Sequence, residues 1–562
     1  MTEPKLRLSD LNHKIKSACD RLRVANYAGA MNYVPMVSWL LFLRLFDERE
    51  EQEAAEADAL GIAFTPALAE PYRWRDWASP GGEQRKVLQQ GATDALKNWV
   101  NQNLLPHLKG FDKSGSATTQ QVIIAEVLSG VDFVRIDTDT NFRGVLDILD
   151  AVRDVDDTHT FPLSQVYESL LLKMGEKGND GGQFFTPRDV VRAMVQAIDP
   201  RTGETVYDPC CGTGGFLAQA FEYMNRDEKT AAGRETLERR TFYGREKEDS
   251  VFPITLANLV LHGIQEPHIW HGDTLTESTK HDALYAGAPG TFSVILTNPP
   301  FGAKVGKEAQ AKFAYKTGAT EILFLQHILD AMAADGRCGM VLSEGALFRT
   351  NEDAYVKTKR KLLDTCDLWC VLSLPGGVFT AAGAGVKTSL LFFSKGKPTE
   401  KIWYYDLSHV KVGKTTPMTL ANFAEFFRLL PTRGDGDYSW TVDFSARKAS
   451  ARAQAEPLRA EAKPLEERAE RLRAEAKAVK KTRPSESAER ESEAASLEAQ
   501  ARALRGDADT IEANVYDLKA VNPRAKAAAT PVTVADLLER IADGERDAQA
   551  ALDRLRATLH TV

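Results

Sequence analysis

The segment with the clearest chemistry is Thr297-Asn298-Pro299-Pro300-Phe301. It directly follows the β-rich run Phe292–Leu296, so two prolines set an extended, rigid turn at a strand's end. That turn aims the Asn298 side chain and nearby carbonyls beyond the strand. An amide oxygen and a backbone carbonyl are two acceptors, a set that suits an –NH2 group. Phe301 offers a flat face for a planar ring. About 90 residues earlier lies Val206-Tyr207-Asp208-Pro209-Cys210-Cys211-Gly212-Thr213-Gly214-Gly215-Phe216. A strand ends at Asp208, a Gly-rich turn follows, and a helix starts near Gly215. Glycines let the backbone approach a ligand closely and tolerate positive φ. The spacing is neither Gly-x-Gly-x-x-Gly nor the phosphate-binding Gly-x-x-x-x-Gly-Lys-Ser/Thr, and Gly383-Ala384-Gly385-Val386-Lys387-Thr388 misses the latter too. This argues against an ATP-driven motor.

The elements that position these turns alternate. Strand-like runs fall at Thr205–Tyr207, Thr241–Tyr243, His268–Trp270, Phe292–Leu296, Cys338–Leu342, Leu368–Leu372, Ser389–Phe393 and Ile402–Tyr405. Helical runs fall at Arg188–Ile198, Gly215–Met224, Ser250–His262, Thr320–Ala334 and Asp353–Asp364. The alternation predicts an α/β domain over 166–445, a mostly parallel sheet with helices on both faces. Ligands then bind beyond the carboxyl ends of the strands. Residues 1–165 read as a helical domain, with Leu11, Ile15, Ala18, Leu22 and Val24 at near-helical spacing and Val37–Phe46 as a second apolar helix. In 446–562, Leu458, Leu465, Leu472 and Val479 recur every seven residues, as do Leu497, Leu504, Ile511 and Leu518, with alanines four residues after most of them. Thr482-Arg483-Pro484-Ser485 separates the runs, so the pattern predicts an antiparallel coiled-coil hairpin. Pro457 and Pro464 restrict where its first helix begins. A final helix is expected over Val534–Thr558.

The composition, with 43% hydrophobic and 27% charged residues among 562, excludes a largely disordered or collagen-like chain. No apolar run approaches the length of a membrane span, and no secretory signal is evident. Six cysteines form neither a disulfide framework nor a zinc pattern, so a reducing cytoplasm is expected and no metal is called for. The net charge of −8 argues mildly against a broad nucleic-acid grip.

Taken together, Asp208-Pro209-x-x-Gly212-x-Gly214-Gly215-Phe216 and Asn298-Pro299-Pro300-Phe301 resemble the cofactor and catalytic motifs of S-adenosylmethionine-dependent amino-methyltransferases. The closer resemblance is to the modification (M) subunit of type I restriction–modification systems, N6-adenine DNA methyltransferases. Further stretches carry it: Gly182-Gln183-Phe184-Phe185-Thr186-Pro187-Arg188, Tyr243-Gly244-Arg245-Glu246, Gly272-Asp273-Thr274-Leu275, Leu374-Pro375-Gly376-Gly377-Val378-Phe379 and Tyr516-Asp517-Leu518. The resemblance implies a Rossmann-like seven-stranded sheet. It also implies that Gln183, Phe184, Phe185, Thr186, Pro187 and Arg188 border the methionine end of the cofactor. Asp208, Gly212, Thr213 and Gly214 then line it, Glu246 accepts the ribose hydroxyls, and Asp273 meets the adenine amino group. Independently, Thr186-Pro187-x-Asp189 fits a helix start with Thr186 as N-cap.

In that reading Asn298 Oδ1 and the Pro299 carbonyl hold the target amine, Pro300 stiffens the turn, and Phe301 and Phe379 sandwich a base flipped out of DNA. Cys210 and Cys211 are packing residues. The implied partners are DNA, a specificity subunit that reads sequence, a motor-nuclease restriction subunit, and a second copy of the chain in an M2S1 assembly. The same motif also occurs in protein glutamine methylases. An RNA adenine methylase and a cofactor-binding scaffold of a defence complex remain as alternatives.

Overall fold

A computed structural model of the chain describes residues 8–27, 30–111, 115–152, 186–379, 386–413, 416–519, 521–524 and 546. Gln183, Phe184, Phe185 and the expected helix Val534–Thr558 lie outside the described residues, apart from Arg546.

Ten strands form one sheet: β1 (Val206–Asp208), β2 (Phe242–Glu246), β3 (His268–Asp273), β4 (Ser278–His281), β5 (Phe292–Thr297), β6 (Met332–Ser343), β7 (Cys366–Ser373), β8 (Thr388–Lys395), β9 (Lys401–Asp406) and β10 (Ser439–Asp443). Their order is β10-β9-β7-β8-β6-β5-β1-β2-β3-β4. The pairs from β3 through β2, β1 and β5 to β6 are all parallel. β8 enters antiparallel between β6 and β7. The seven strands β3-β2-β1-β5-β6-β8-β7 are the expected sheet, and β4, β9 and β10 extend its two ends. Val294, Ile295 and Leu296 of β5 are fully buried, as a strand covered on both faces requires. β4 reads Ser-Thr-Lys-His and is mostly exposed, so it leaves no apolar signature in the sequence.

The helices flanking the sheet include α1 (Leu8–Val24), α2 (Ala30–Leu60), α3 (Thr119–Leu128) and α4 (Asp139–Asp150) at the N-terminal side. Around the site stand α5 (Arg188–Ile198), α6 (Gly215–Asn225), α7 (Phe252–Leu261) and α8 (Thr320–Ala331). One apolar core runs from Leu11, Trp39 and Leu146 of the N-terminal helices into Leu217, Phe252 and Val294 around the sheet. The N-terminal helices therefore share the core of the α/β domain. Among the described residues no helix is long and apolar enough to cross a membrane.

The hairpin consists of α9 (Phe444–Val479) and α10 (Pro484–Ala513). Contrary to expectation, the two prolines do not delay its start. Asp443 caps α9 through Ala446 N–H at 2.8 Å, and the helix runs through Pro457 and Pro464. Each proline forfeits a backbone hydrogen bond, but the partner helix compensates. Ala455, Ala462, Ala469 and Ala476 face Ala494, Ala501 and Ala508 with essentially no exposure, while Leu458, Leu465 and Leu472 are only half-buried. The seam is thus alanine at its centre and leucine at its margin. Arg459–Glu512 (2.7 Å), Arg468–Glu493 (2.8 Å) and Arg473–Glu498 (2.7 Å) tie the helices across it. Phe444, Val515, Tyr516 and Leu518 root the hairpin in the core beneath β7 and β9. Ala469→Leu should overfill this seam and destabilise the hairpin by about 1–3 kcal/mol. Hydrogen exchange across 460–505 should rise while that of β1 and β5 stays unchanged.

Candidate active site

Asp208, Glu246, Asp273 and Thr297 are the last residues of β1, β2, β3 and β5. These strands run parallel, so their carboxyl ends line one edge of the sheet. β1 is the centre, with β2 on one side and β5 on the other. The chain leaves β1 and β5 into the two turns singled out by their composition, which places those turns side by side.

Buried Thr297 joins them. Its hydroxyl donates to Asp208 Oδ1 at 2.6 Å, and the same oxygen accepts from Cys210 N–H at 3.1 Å. Burial pushes Asp208 up to about 7, against the lowering effect of these two donors. Gly212 and Gly214 have φ of 53° and 81°, a conformation that favours glycine. The turn is held from α7, where Thr255 Oγ1 donates to Gly212 O and Asn258 Nδ2 to Thr213 O at 2.8 Å. From the β3 side Thr274 Oγ1 donates to Pro209 O at 2.6 Å. Gly244 on β2 has no room for a side chain: a Cβ would lie 2.9 Å from Ile269 Cδ1 and 3.0 Å from Cys211 Sγ. Burial raises the Cys210 and Cys211 thiols well above their usual range, so both are neutral; Cys211 is a packing group, while Cys210 Sγ lies 3.1 Å from Thr297 Oγ1.

Glu246 Oε1 accepts from Lys247 N–H (2.9 Å) and Glu248 N–H (2.7 Å), which fixes the carboxylate at the strand end. Burial lifts it to about 7. Asp273 Oδ1 accepts from Leu275 N–H at 3.0 Å, and its other oxygen pairs with Lys247 at 3.1 Å.

At the second turn, Asn298 Nδ2 donates to Thr186 Oγ1 at 2.9 Å. The amide's other end, Oδ1, is buried and has no hydrogen-bond partner among the described residues. Thr186 is therefore not the N-cap expected of it. Pro187 occupies that position, with no side-chain cap, and the Thr186 hydroxyl crosses to Asn298 instead. Arg188 does not join this group. It reaches Gln219 (3.2 Å) and Glu222 (3.0 Å) on α6. Phe301 and Phe379 do meet, edge to face, with ring centroids 5.9 Å apart and planes at 79°. In this conformation they form a corner with no slot for a base between them.

Residue types and spacing single out the turns at Asp208 and Asn298, and the resemblance adds Glu246 and Asp273, but neither assigns a role to Thr297, Thr255 or Asn258. A signal for the last two exists, since they are the polar residues, one turn apart, in the otherwise apolar Phe252–Leu261.

The chain is similar to known proteins. The model for N-6 DNA methylase matches residues 158–459, and that for the HsdM N-terminal domain matches 11–129. The first spans more than half of the chain. The chain belongs to the N-6 DNA methylase family, among the methylase subunits of type I restriction enzymes. It is an adenine-specific DNA methyltransferase. The type I restriction enzyme EcoEI methylase subunit of Escherichia coli is 34% identical over 419 residues, 73% of this chain and 81% of that one. A modification subunit of a putative type I restriction enzyme from Vibrio vulnificus YJ016 superposes with a TM-score of 0.69 at 31% identity, covering 79% of this chain and 94% of that one. A chain solved in work on complex assembly and conformational transition of the type I R-M system gives 0.66 at 30% identity and covers 99% of both.

Asp208 is raised from the usual carboxylate range, so fold stability falls as pH rises towards and through about 7. The Thr297 hydroxyl limits that loss by stabilising the carboxylate. Thr297→Val should destabilise the fold by about 1.5–3 kcal/mol at pH 8, where Asp208 is ionised. The effect should be smaller at pH 5, and thermal unfolding at the two pH values measures it.

Proposed function

We propose that the cluster binds S-adenosylmethionine and presents Asn298 to an adenine extruded from DNA. The observation that carries this reading is the Asn298 amide, whose nitrogen is occupied by Thr186 while its oxygen is buried and has no partner among the described residues. A buried acceptor without a donor is costly, and the N6 amine of adenine supplies the missing donor. The donor set also fits the cofactor: a carboxylate at the end of β2 (Glu246) for ribose hydroxyls, a second at the end of β3 (Asp273) for the adenine amine, and the turn at Asp208, Gly212, Thr213 and Gly214 between them. Gln183, Phe184, Phe185, Thr186, Pro187 and Arg188 are assigned to its methionine end by resemblance, with Arg188 the weakest of them given its bonds to α6. When bound, S-adenosylmethionine supplies a methyl group already activated by its positive sulfonium.

The chain's own part is to hold the amine. Asn298 Oδ1 accepts one N–H and the Pro299 carbonyl the other, which keeps the nitrogen aligned and favours a more tetrahedral, more nucleophilic form. Pro299 and Pro300 keep the turn from yielding. Phe301 stacks on the extruded base, and Phe379 turns from its edge-on position to complete the enclosure.

The N-terminal and C-terminal regions, 1–165 and 446–562, flank this catalytic domain of 166–445. We assign them to docking a specificity subunit in an M2S1 assembly, with a restriction subunit joining it, inside the cytoplasm. The match over 99% of both chains to a member of a type I R-M complex supports this assignment.

Modified-base sequencing of DNA from cells carrying the gene with its neighbours tests the reading. N6-methyladenine should fill a split recognition site and vanish with Asn298→Ala. Identical methylation in both strains would overturn it. A second expectation concerns Thr186. Thr186→Val frees the Asn298 amide to turn, so kcat should fall by about 10–100-fold with the DNA KM little changed. Thr186→Ser keeps the hydroxyl and should restore most of the rate.

A further inference from the structure

Between Phe301 and α8 the chain makes an excursion over 302–319 that is locally basic in an acidic protein. It holds Lys304, Lys307, Lys312 and Lys316 against a single acid, Glu308. The excursion is an ordered tongue. An antiparallel bridge pairs Lys304 with Ala319 at its base, and Val305 N–H donates to Gly318 O at 3.0 Å. Gln326 of α8 grips Tyr315 twice, accepting from its N–H at 3.0 Å and donating to its carbonyl at 2.9 Å.

The underside of the tongue is apolar. Val305, Ala309 and Phe313 pack with Cys210 of the glycine turn, Leu275 just beyond Asp273, and Leu323 and Phe324 of α8. Lys312 adds a bond to Thr276 O and an ion pair with Glu277 at 2.9 Å. The tongue is thus fastened onto the loops that leave β1 and β3, at the same sheet edge as Asp208, Asp273 and Asn298.

The outer side is basic. Lys304, Lys307 and Lys316 are exposed. Among the described residues none of the three has an ion pair, while Lys312 is spent on the underside. Lys304 is three residues beyond Phe301, so the two Cα atoms lie at most about 11 Å apart. A base that stacks on Phe301 brings its flanking phosphates to this surface.

Resting on the DNA-adenine reading above, we propose that Lys304, Lys307 and Lys316 grip the phosphates of the strand that carries the target adenine. The tongue gives a chain of net charge −8 a local, rigid cationic surface beside the catalytic turn. Unpaired ammonium groups on a fixed backbone suit phosphates, which carry position but no sequence. Base reading is left to the specificity subunit.

The test uses the complex purified through a tag on this chain, and a duplex bearing the site mapped by modified-base sequencing. The triple variant Lys304→Ala/Lys307→Ala/Lys316→Ala should raise the DNA KM by about tenfold or more, with kcat within about twofold. The slope of log KM against log salt should become shallower by about 2–3, near one unit for each phosphate no longer neutralised. Affinity for the methyl donor should not change, and the triple arginine variant should behave as the unsubstituted complex. Unchanged DNA KM and salt slope would overturn the proposal. If the alanine variant does not assemble, lysine acylation of the unsubstituted complex decides. Site DNA should protect Lys304, Lys307 and Lys316 but not Lys477 on the hairpin, and equal labelling with and without DNA counts against the proposal. An unsubstituted complex that methylates no DNA would defeat the underlying reading instead.

Discussion

The hydrogen bond from Thr297 to Asp208 connects the ends of β1 and β5, and the site depends on it. It spans 2.6 Å between two side chains with almost no exposure. A buried carboxylate is expensive to keep ionised, and here it is held by one hydroxyl and one backbone N–H. Because both partners close their strands, the bond fixes where the glycine turn and the Asn298 turn begin. Beyond that junction the two turns are steadied by Thr255 and Asn258 from α7, Thr274 from the β3 side, and Thr186 from the segment entering α5. The turns themselves contribute few side chains. They are positioned by hydroxyls and amides on neighbouring elements.

How much of this was legible in the sequence varied with the physical origin of each feature. The parallel strands were visible because burial on both faces demands apolar runs, as in Phe292–Leu296. The two turns were visible because prolines and glycines are tied to particular backbone conformations. β4 was not visible, since a short strand at an exposed edge has no apolar requirement. Thr186 was misread because local spacing suits a cap, whereas its actual partner, Asn298, lies 112 residues away. The orientation of Phe379 was likewise beyond reach, since ring angles are settled by packing. In the hairpin the seven-residue repeat gave the right pairing, but prolines were weighed as local breakers. A continuous partner helix with interhelical Arg–Glu pairs outweighed them.

Charge shows a similar contrast between whole and part. The overall balance of −8 gives little attraction for a polyanion. In the hairpin, many basic residues are matched with acids, as in Arg459 with Asp509 and Glu512, or Arg468 with Glu493. The tongue departs from this matching, beside the turn proposed to hold the reacting amine. A protein that delegates sequence reading has no need of a wide cationic face.

The alanine seam makes the hairpin a stiff arm. At 1.5 Å per residue, the 36 residues of α9 reach about 54 Å. Phe444 and Tyr516 set its root in the same core as β7 and β9. The arm consequently turns with the sheet, and a rotation of the catalytic domain by about 10° sweeps its tip near Arg483 through about 9 Å. A dye at that tip would magnify small reorientations of the methylase domain into displacements that distance measurements resolve.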